Sequence, residues 1–218
     1  WNAAGTRAYV SGMGSNNVIV LDQSGARAGL APTIEVGEGP NGVELDEPRA
    51  QLYVLNKFAG SLSVVNTATE LEVARVAFFD PSPTAIKNGR KHLYDTRKTS
   101  GTGAVSCGSC HVDARMDHLA WDLGNPDGGM KVVDGTQNLG ANVPGLNTGF
   151  EDWHPMKGPM LTQTLQDIVG KEPHHWRGDR DGIEEFNPAF LGLLGDDQPL
   201  SASEMQEFED FLATIFFP

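Results

Sequence analysis

Two stretches of the first eighty residues repeat each other at a fixed offset. Arg7-Ala8-Tyr9-Val10 aligns with Gln51-Leu52-Tyr53-Val54, and the offset from Tyr9 to Tyr53 is 44 residues. Each copy continues through a polar turn into a short apolar run. Ser15-Asn16-Asn17 leads into Val18-Ile19-Val20-Leu21-Asp22, and Ala59-Gly60-Ser61 leads into Leu62-Ser63-Val64-Val65-Asn66. Strand–turn–strand units at such a period are the signature of β-propeller blades. The stretch from Gly37 to Val43 reads as the link between the two units. A blade buries its faces against neighbours, so two units alone leave apolar surface and a sheet edge bare. Closure takes roughly four to eight blades. Trp1 aligns with Leu45, so the chain opens in mid-blade. The expectation is that further blades lie upstream or on another chain; a small self-contained β-meander is the alternative.

From residue 82 the period changes from that of strands to that of helices. Ser82-Pro83 is a helix start, with proline expected at the first helical position. Ala85, Ile86, Gly89 and Leu93 then recur at helical spacing. Near the far end, Ser201-x-x-Glu204 forms a capping box, and Met205, Phe208, Phe211, Leu212 and Ile215 line one face of the following helix as core. The expected fold class is α+β: partial β-propeller blades over residues 1–81, then a mostly α-helical domain over residues 82–218.

Residues 107–111 read Cys-Gly-Ser-Cys-His and contain the only two cysteines of the chain. Cys107 and Cys110 can each add across a haem vinyl group, and His111 then lies where its imidazole can bind the iron. A zinc knuckle needs two further ligands, such as His118 and another. A dithiol redox pair usually follows a strand in a βαβ unit, whereas this one follows the loop Thr99 to Gly103. A disulfide across so short a loop is a third alternative. None of the three gives His111 a role, so one covalent haem c is the expected cofactor, with iron held by His111.

The paired units resemble the YVTN repeats of seven-bladed propellers, although Tyr9-Val10 continues as Ser-Gly. Three later stretches resemble the bacterial di-haem cytochrome c peroxidase/MauG family. They are Gly89-Arg-Lys-His-Leu-Tyr-Asp95 with Ser100-Gly101 and Ser106-Cys107-Gly-Ser-Cys110-His111; Met156-Lys157-Gly158-Pro159-Met160-Leu161-Thr162-Gln163-Thr164-Leu165; and Pro173-His174-His175-Trp176-Arg177-Gly178-Asp179. The resemblance spans residues 83–217 and implies a c-type cytochrome domain, in which a first and a last helix cross beside the haem. Gly89 is placed for that close approach. This chain departs from the family in having one attachment site, and in Gln163 where the family carries proline.

By that resemblance His175 is the first candidate for the iron's distal face and Met156 the second; Met160, His174 and His154 are outsiders. Trp176, Arg177 and Arg180 are candidates for the haem edge, where arginine pairs with a propionate. Alternatively, Arg177 or Arg180 pairs with Asp179 or Asp181 in a turn. Asp122, Asn125 and Asp127 lie in a glycine-rich stretch that lacks a clear bidentate glutamate, so a solvated loop is expected there and not a calcium site.

A formal net charge of −13 argues against a nucleic-acid partner, and no apolar run is long enough for a membrane span. No signal peptide is visible at Trp1-Asn2-Ala3-Ala4, yet covalent haem attachment is an extracytoplasmic process in most bacteria. A mature or trimmed periplasmic or extracellular protein is therefore expected. The expected function is electron transfer by one six-coordinate haem beside a propeller docking module, with a redox protein or a neighbouring haem subunit as partner, within a larger assembly or a longer chain. A peroxidase or MauG-like enzyme, for which Glu184 and Glu185 could be offered as acid/base groups, is the first alternative. A propeller binding module with a structural haem is the second.

Overall fold

The computed structural model describes residues 1–123, 158–176, 178 and 180–218. Strands β1 (Ala8–Gly12), β2 (Asn17–Leu21) and β3 (Ile34–Glu35) form an antiparallel sheet in that order. Strands β4 (Pro40–Asp46), β5 (Gln51–Asn56), β6 (Ser61–Asn66) and β7 (Leu71–Ala77) form a four-stranded antiparallel meander. The sequence repeat is exact in register. Tyr9 opposes Val20 in the first sheet, and 44 residues on Tyr53 opposes Val64 in the second.

Alternation decides which faces meet. Val18, Val20, Ile34 and Val36 of the first unit pack on Leu52, Val54 and Val65 of the second in one core. Asn56, fully buried, donates to Ser61 Oγ and Ser63 Oγ at 3.1 and 2.7 Å, which gives its amide nitrogen partners at the polar end of that core. The opposite face of the second sheet stays in solvent. Leu55, Leu62 and Val76 align across three strands, and Leu55 and Val76 are 38% and 58% exposed. Among the described residues no sheet closes into a barrel.

The helical part comprises α1 (Thr84–Tyr94), α2 (Thr96–Thr99), α3 (Cys107–Cys110), α4 (Pro188–Gly192) and α5 (Ala202–Leu212), with a small ribbon of β8 (Ala120–Trp121) and β9 (Met160–Leu161). Leu93 of α1 meets Met205, Phe208, Phe211 and Leu212 of α5, with Phe190, Ile183 and Leu200 completing the core. Gly89 lies at the helix crossing. A Cβ there would come within 2.2 Å of the Glu207 carbonyl oxygen and of Phe211 Cβ. The close approach expected of Gly89 is therefore present. Pro83, expected at the first helical position, instead caps α1 with an extended backbone (ψ 151°). Its fixed φ suits either position, and the difference is one residue.

The capping box of α5 forms as expected: Ser201 N–H donates to Glu204 Oε2 at 3.0 Å and Glu204 N–H donates to Ser201 Oγ at 3.3 Å. Lys98 Nζ adds a 2.7 Å ion pair to Glu204. The lysine contact and the two serine hydrogen bonds hold the Glu204 carboxyl at about 2, against 4.5 for an ordinary glutamate. A depressed carboxyl contributes stability above its unfolded value and loses it as pH falls through the folded one. Acid unfolding should therefore draw on Glu204 between about pH 4.5 and about pH 2. Glu204→Gln should flatten that limb of stability against pH, as read by denaturant midpoints across the window.

The sheets and helices are joined at several points. Asn16 donates to Asp95 Oδ2 at 2.9 Å, Thr96 N–H to the Gly14 carbonyl at 2.9 Å, and Arg97 to Glu35 at 2.9 Å. Arg90, buried, reaches back to the β5–β6 turn. Among the described residues no helix is long and apolar enough to cross a membrane.

Candidate functional site

The short helix α3 is one turn whose two ends are Cys107 and Cys110, a spacing that puts both thiols on one side. Ser106 and Ser109 close it with a reciprocal capping box. Both cysteines are free thiols and half-buried, and Cys107 packs against the helical core. Burial pushes the Cys107 thiol up to about 11. Burial also raises Cys110, helped by the charge of Asp117 and a hydrogen bond with it. Thiols held protonated this way do not have the lowered pKa of a reactive dithiol pair. Among the described residues no three of His, Cys, Asp and Glu converge as a metal cage.

His111 follows directly as the C-cap of α3, half-buried. Its Nδ1 lies 2.8 Å from the Gln163 carbonyl oxygen. A carbonyl only accepts, so Nδ1 carries the proton and Nε2 keeps its lone pair for a metal, the usual arrangement of a metal-binding imidazole. Burial also lowers the His111 pKa, against the Gln163 and Arg115 backbone contacts and the charge of Asp117. The ring is thereby kept in the neutral form that ligates.

Beside it lies a cavity of about 330 Å³, whose lining includes Leu161, Gln163, Ile168, His174, His175 and Trp176. That is the lower end of the range of small-molecule sites. His174 is 4% exposed, donates its backbone N–H to the Arg180 carbonyl at 2.7 Å, and leaves Nε2 without a hydrogen bond; the nearest carboxylate oxygen, of Glu172, is 3.6 Å away. His175 is half-buried with its ring edge-on to Phe186 at 4.8 Å between centroids. Its backbone is left-handed (φ 66°), a conformation that non-glycine residues adopt at some cost and that gathers at functional sites. Trp176 is 61% exposed and donates its indole N–H to the Leu161 carbonyl at 2.8 Å. Two thiols on one turn and an adjacent imidazole oriented by the Gln163 carbonyl are the donor set that a covalently held haem needs, and Gln163 also lines the neighbouring cavity that carries His174 and His175.

The structure thus brings Cys107, Cys110 and His111 together, and puts His175 and Trp176 at the adjoining cavity. Met156 and Arg177 lie outside the described residues, as do His154, Asn125, Asp127 and Asp179. Glu184 and Glu185 stand exposed in a 3₁₀ turn, where Glu185 accepts the Asp181 N–H at 3.0 Å as a local turn contact. Sequence reasoning missed Gln163 and Asp117. Gln163 acts through its backbone carbonyl, which no side-chain pattern signals. Asp117 accepts hydrogen bonds from Leu119 N–H, Trp121 Nε1 and Thr162 Oγ1.

No family model matches the chain, and no curated protein matches it. Among solved structures it is similar to hydrazine synthase of Kuenenia stuttgartiensis, with 23% sequence identity and a TM-score of 0.32 over 35% of this chain. The match covers 21% of that chain, so this protein spans about a fifth of its length. A likeness so partial identifies neither family nor activity.

Proposed function

We propose that this protein transfers electrons through one covalent haem c, bound by thioethers to Cys107 and Cys110 with His111 as the iron's fifth ligand. The hydrogen bond from His111 Nδ1 to the Gln163 carbonyl carries the proposal, since it orients a neutral imidazole beside the two thiols. When bound, the group supplies a one-electron ferric/ferrous couple. The chain's part is to hold the cofactor, fix the imidazole and limit water at the cavity. His175 is the proposed sixth ligand, with Met156 the alternative; Trp176 and Arg177 flank the haem edge. Residues 82–218 are proposed as a cytochrome domain of the di-haem peroxidase/MauG type reduced to one haem, and residues 1–81 as propeller blades of YVTN type that dock or assemble. The apolar outer face of the second sheet supports that assembly role. The proposed setting is periplasmic or extracellular, with a redox protein or a neighbouring haem subunit as partner.

The test is a pyridine haemochrome assay with intact mass on protein matured in a bacterial periplasm. One porphyrin per chain and a reduced low-spin six-coordinate spectrum are expected. No added porphyrin ends the proposal, and a high-spin wild type with peroxide turnover favours the peroxidase alternative. His175→Ala should convert the spectrum to high-spin, whereas His174→Ala should leave it low-spin. The opposite pattern would move the distal ligand to the buried imidazole.

A further inference from the structure

We propose that Asp117 is a positioning residue that lowers the reduction potential of the centre at Cys107, Cys110 and His111; this rests on the haem reading above. Asp117 is half-buried and bridges both strands of the β8–β9 ribbon. Its Oδ1 accepts the Leu119 N–H at 3.0 Å and the Thr162 hydroxyl at 2.8 Å, and its Oδ2 accepts the Trp121 indole N–H at 2.8 Å. The ribbon is zipped beside it, since Trp121 pairs with Met160 and Thr162 N–H donates to the Leu119 carbonyl at 3.3 Å. Thr162 is joined by one peptide bond to Gln163, whose carbonyl fixes His111. The same carboxylate lies within hydrogen-bonding reach of the Cys110 thiol.

Burial alone would raise the Asp117 pKa, but the Leu119, Thr162 and Trp121 hydrogen bonds outweigh it and hold the carboxyl at about 2. With three donors on its two oxygens, Asp117 sits as a carboxylate, tethered through Thr162–Gln163 to the iron's imidazole and acting on one attachment sulfur. A fixed negative charge near the metal favours its more positive, oxidised form.

Asp117→Asn in the haem-loaded, full-length protein removes the charge and keeps one acceptor oxygen. Spectroelectrochemical titration should show reduction favoured about tenfold over wild type, ~59 mV for one electron, with the low-spin bands unchanged. Asp113→Asn, at an exposed position outside the ribbon, should shift the potential much less. Thr162→Val removes one donor while leaving the charge, so it should shift the potential downwards, and it serves where the asparagine variant does not fold. An unchanged or lower potential in Asp117→Asn, an equal shift in Asp113→Asn, or an unmoved Thr162→Val overturns the inference. A haemochrome assay on the same samples separates the two failures, because wild type without porphyrin refutes the haem reading itself.

Discussion

Gly89→Leu should abolish cooperative folding of the helical part, and Gly89→Ala should weaken it measurably. In an isolated helix the alanine change is stabilising by about 1 kcal/mol, since glycine has more backbone entropy to lose. Here the added Cβ lands 2.2 Å from the Glu207 carbonyl oxygen and 2.2 Å from Phe211 Cβ. Backbone cannot swing aside as a flexible side chain does, so α1 and α5 must separate. Overpacking of this kind costs about 1–3 kcal/mol, and more for larger side chains. The whole seam of Leu93, Phe208, Phe211 and Leu212 loosens with it. Gly192→Ala is the control, because a Cβ on that last residue of α4 meets nothing within 4 Å. Denaturant midpoints of the full chain should fall for Gly89→Ala and hold or rise for Gly192→Ala. Equal midpoints would show that the crossing has slack that the side-chain contacts do not reveal.

Gly89 was legible through the family resemblance, which implies a glycine where the first and last helices approach closely. Ser201 and Glu204 were legible from their spacing, which alone specifies their bonds. In the sheets, β1, β2, β5 and β6 were legible from their repeat and their Val/Ile/Leu runs. β4 and β7 were not. β4 reads Pro-Asn-Gly-Val-Glu-Leu-Asp, with proline, glycine and acids that argue against a strand, and β7 is largely exposed, so no buried face imprints an alternation on it. β3 is only two residues long and is held by its own pairing with Asn17 and Val18 of β2.

The candidate site divides along the same line. Cys107, Cys110 and His111 are adjacent in sequence, so their chemistry was visible before any fold was known. Gln163 is 52 residues from His111 and acts through a carbonyl that every residue has. Asp117, in the run Arg115-Met116-Asp117-His118, looks like any solvated acid until the ribbon brings Thr162 and Trp121 to it. The family resemblance suggested His175, but only tertiary packing distinguishes a buried His174 from a half-buried His175 one position on.

Arg90 was invisible to sequence reasoning for a related reason, since arginine in a helix normally points to water, and its replacement should be the most damaging single change between the sheets and the helices. Its guanidinium is buried and donates to the carbonyls of Lys57 and Phe58 at 3.1 and 2.7 Å and to Asp80 Oδ2 at 3.0 Å, with its centre 5.2 Å above the Phe58 ring. Asp80 answers it: hydrogen bonds from Ser82 and then from Arg90 hold that carboxyl well below the usual range. Arg90→Ala removes the cation and leaves Asp80 and two carbonyls facing a void. Taking the buried cation away from its acceptors is strongly destabilising. Asp80→Asn should cost less, because Arg90 keeps both carbonyls and the ring. If the two act as a pair, the double variant should be less destabilised than the sum of the singles. Hydrogen exchange should meanwhile rise at Lys57 and Phe58, whose turn Arg90 pins, and stay unchanged at Val18 and Val54 inside the sheet core. A loss under about 1 kcal/mol for Arg90→Ala, too small for the removal of a buried cation from its acceptors, would assign the junction instead to Asn16–Asp95 and Gly14–Thr96, which join the same two parts without a buried cation.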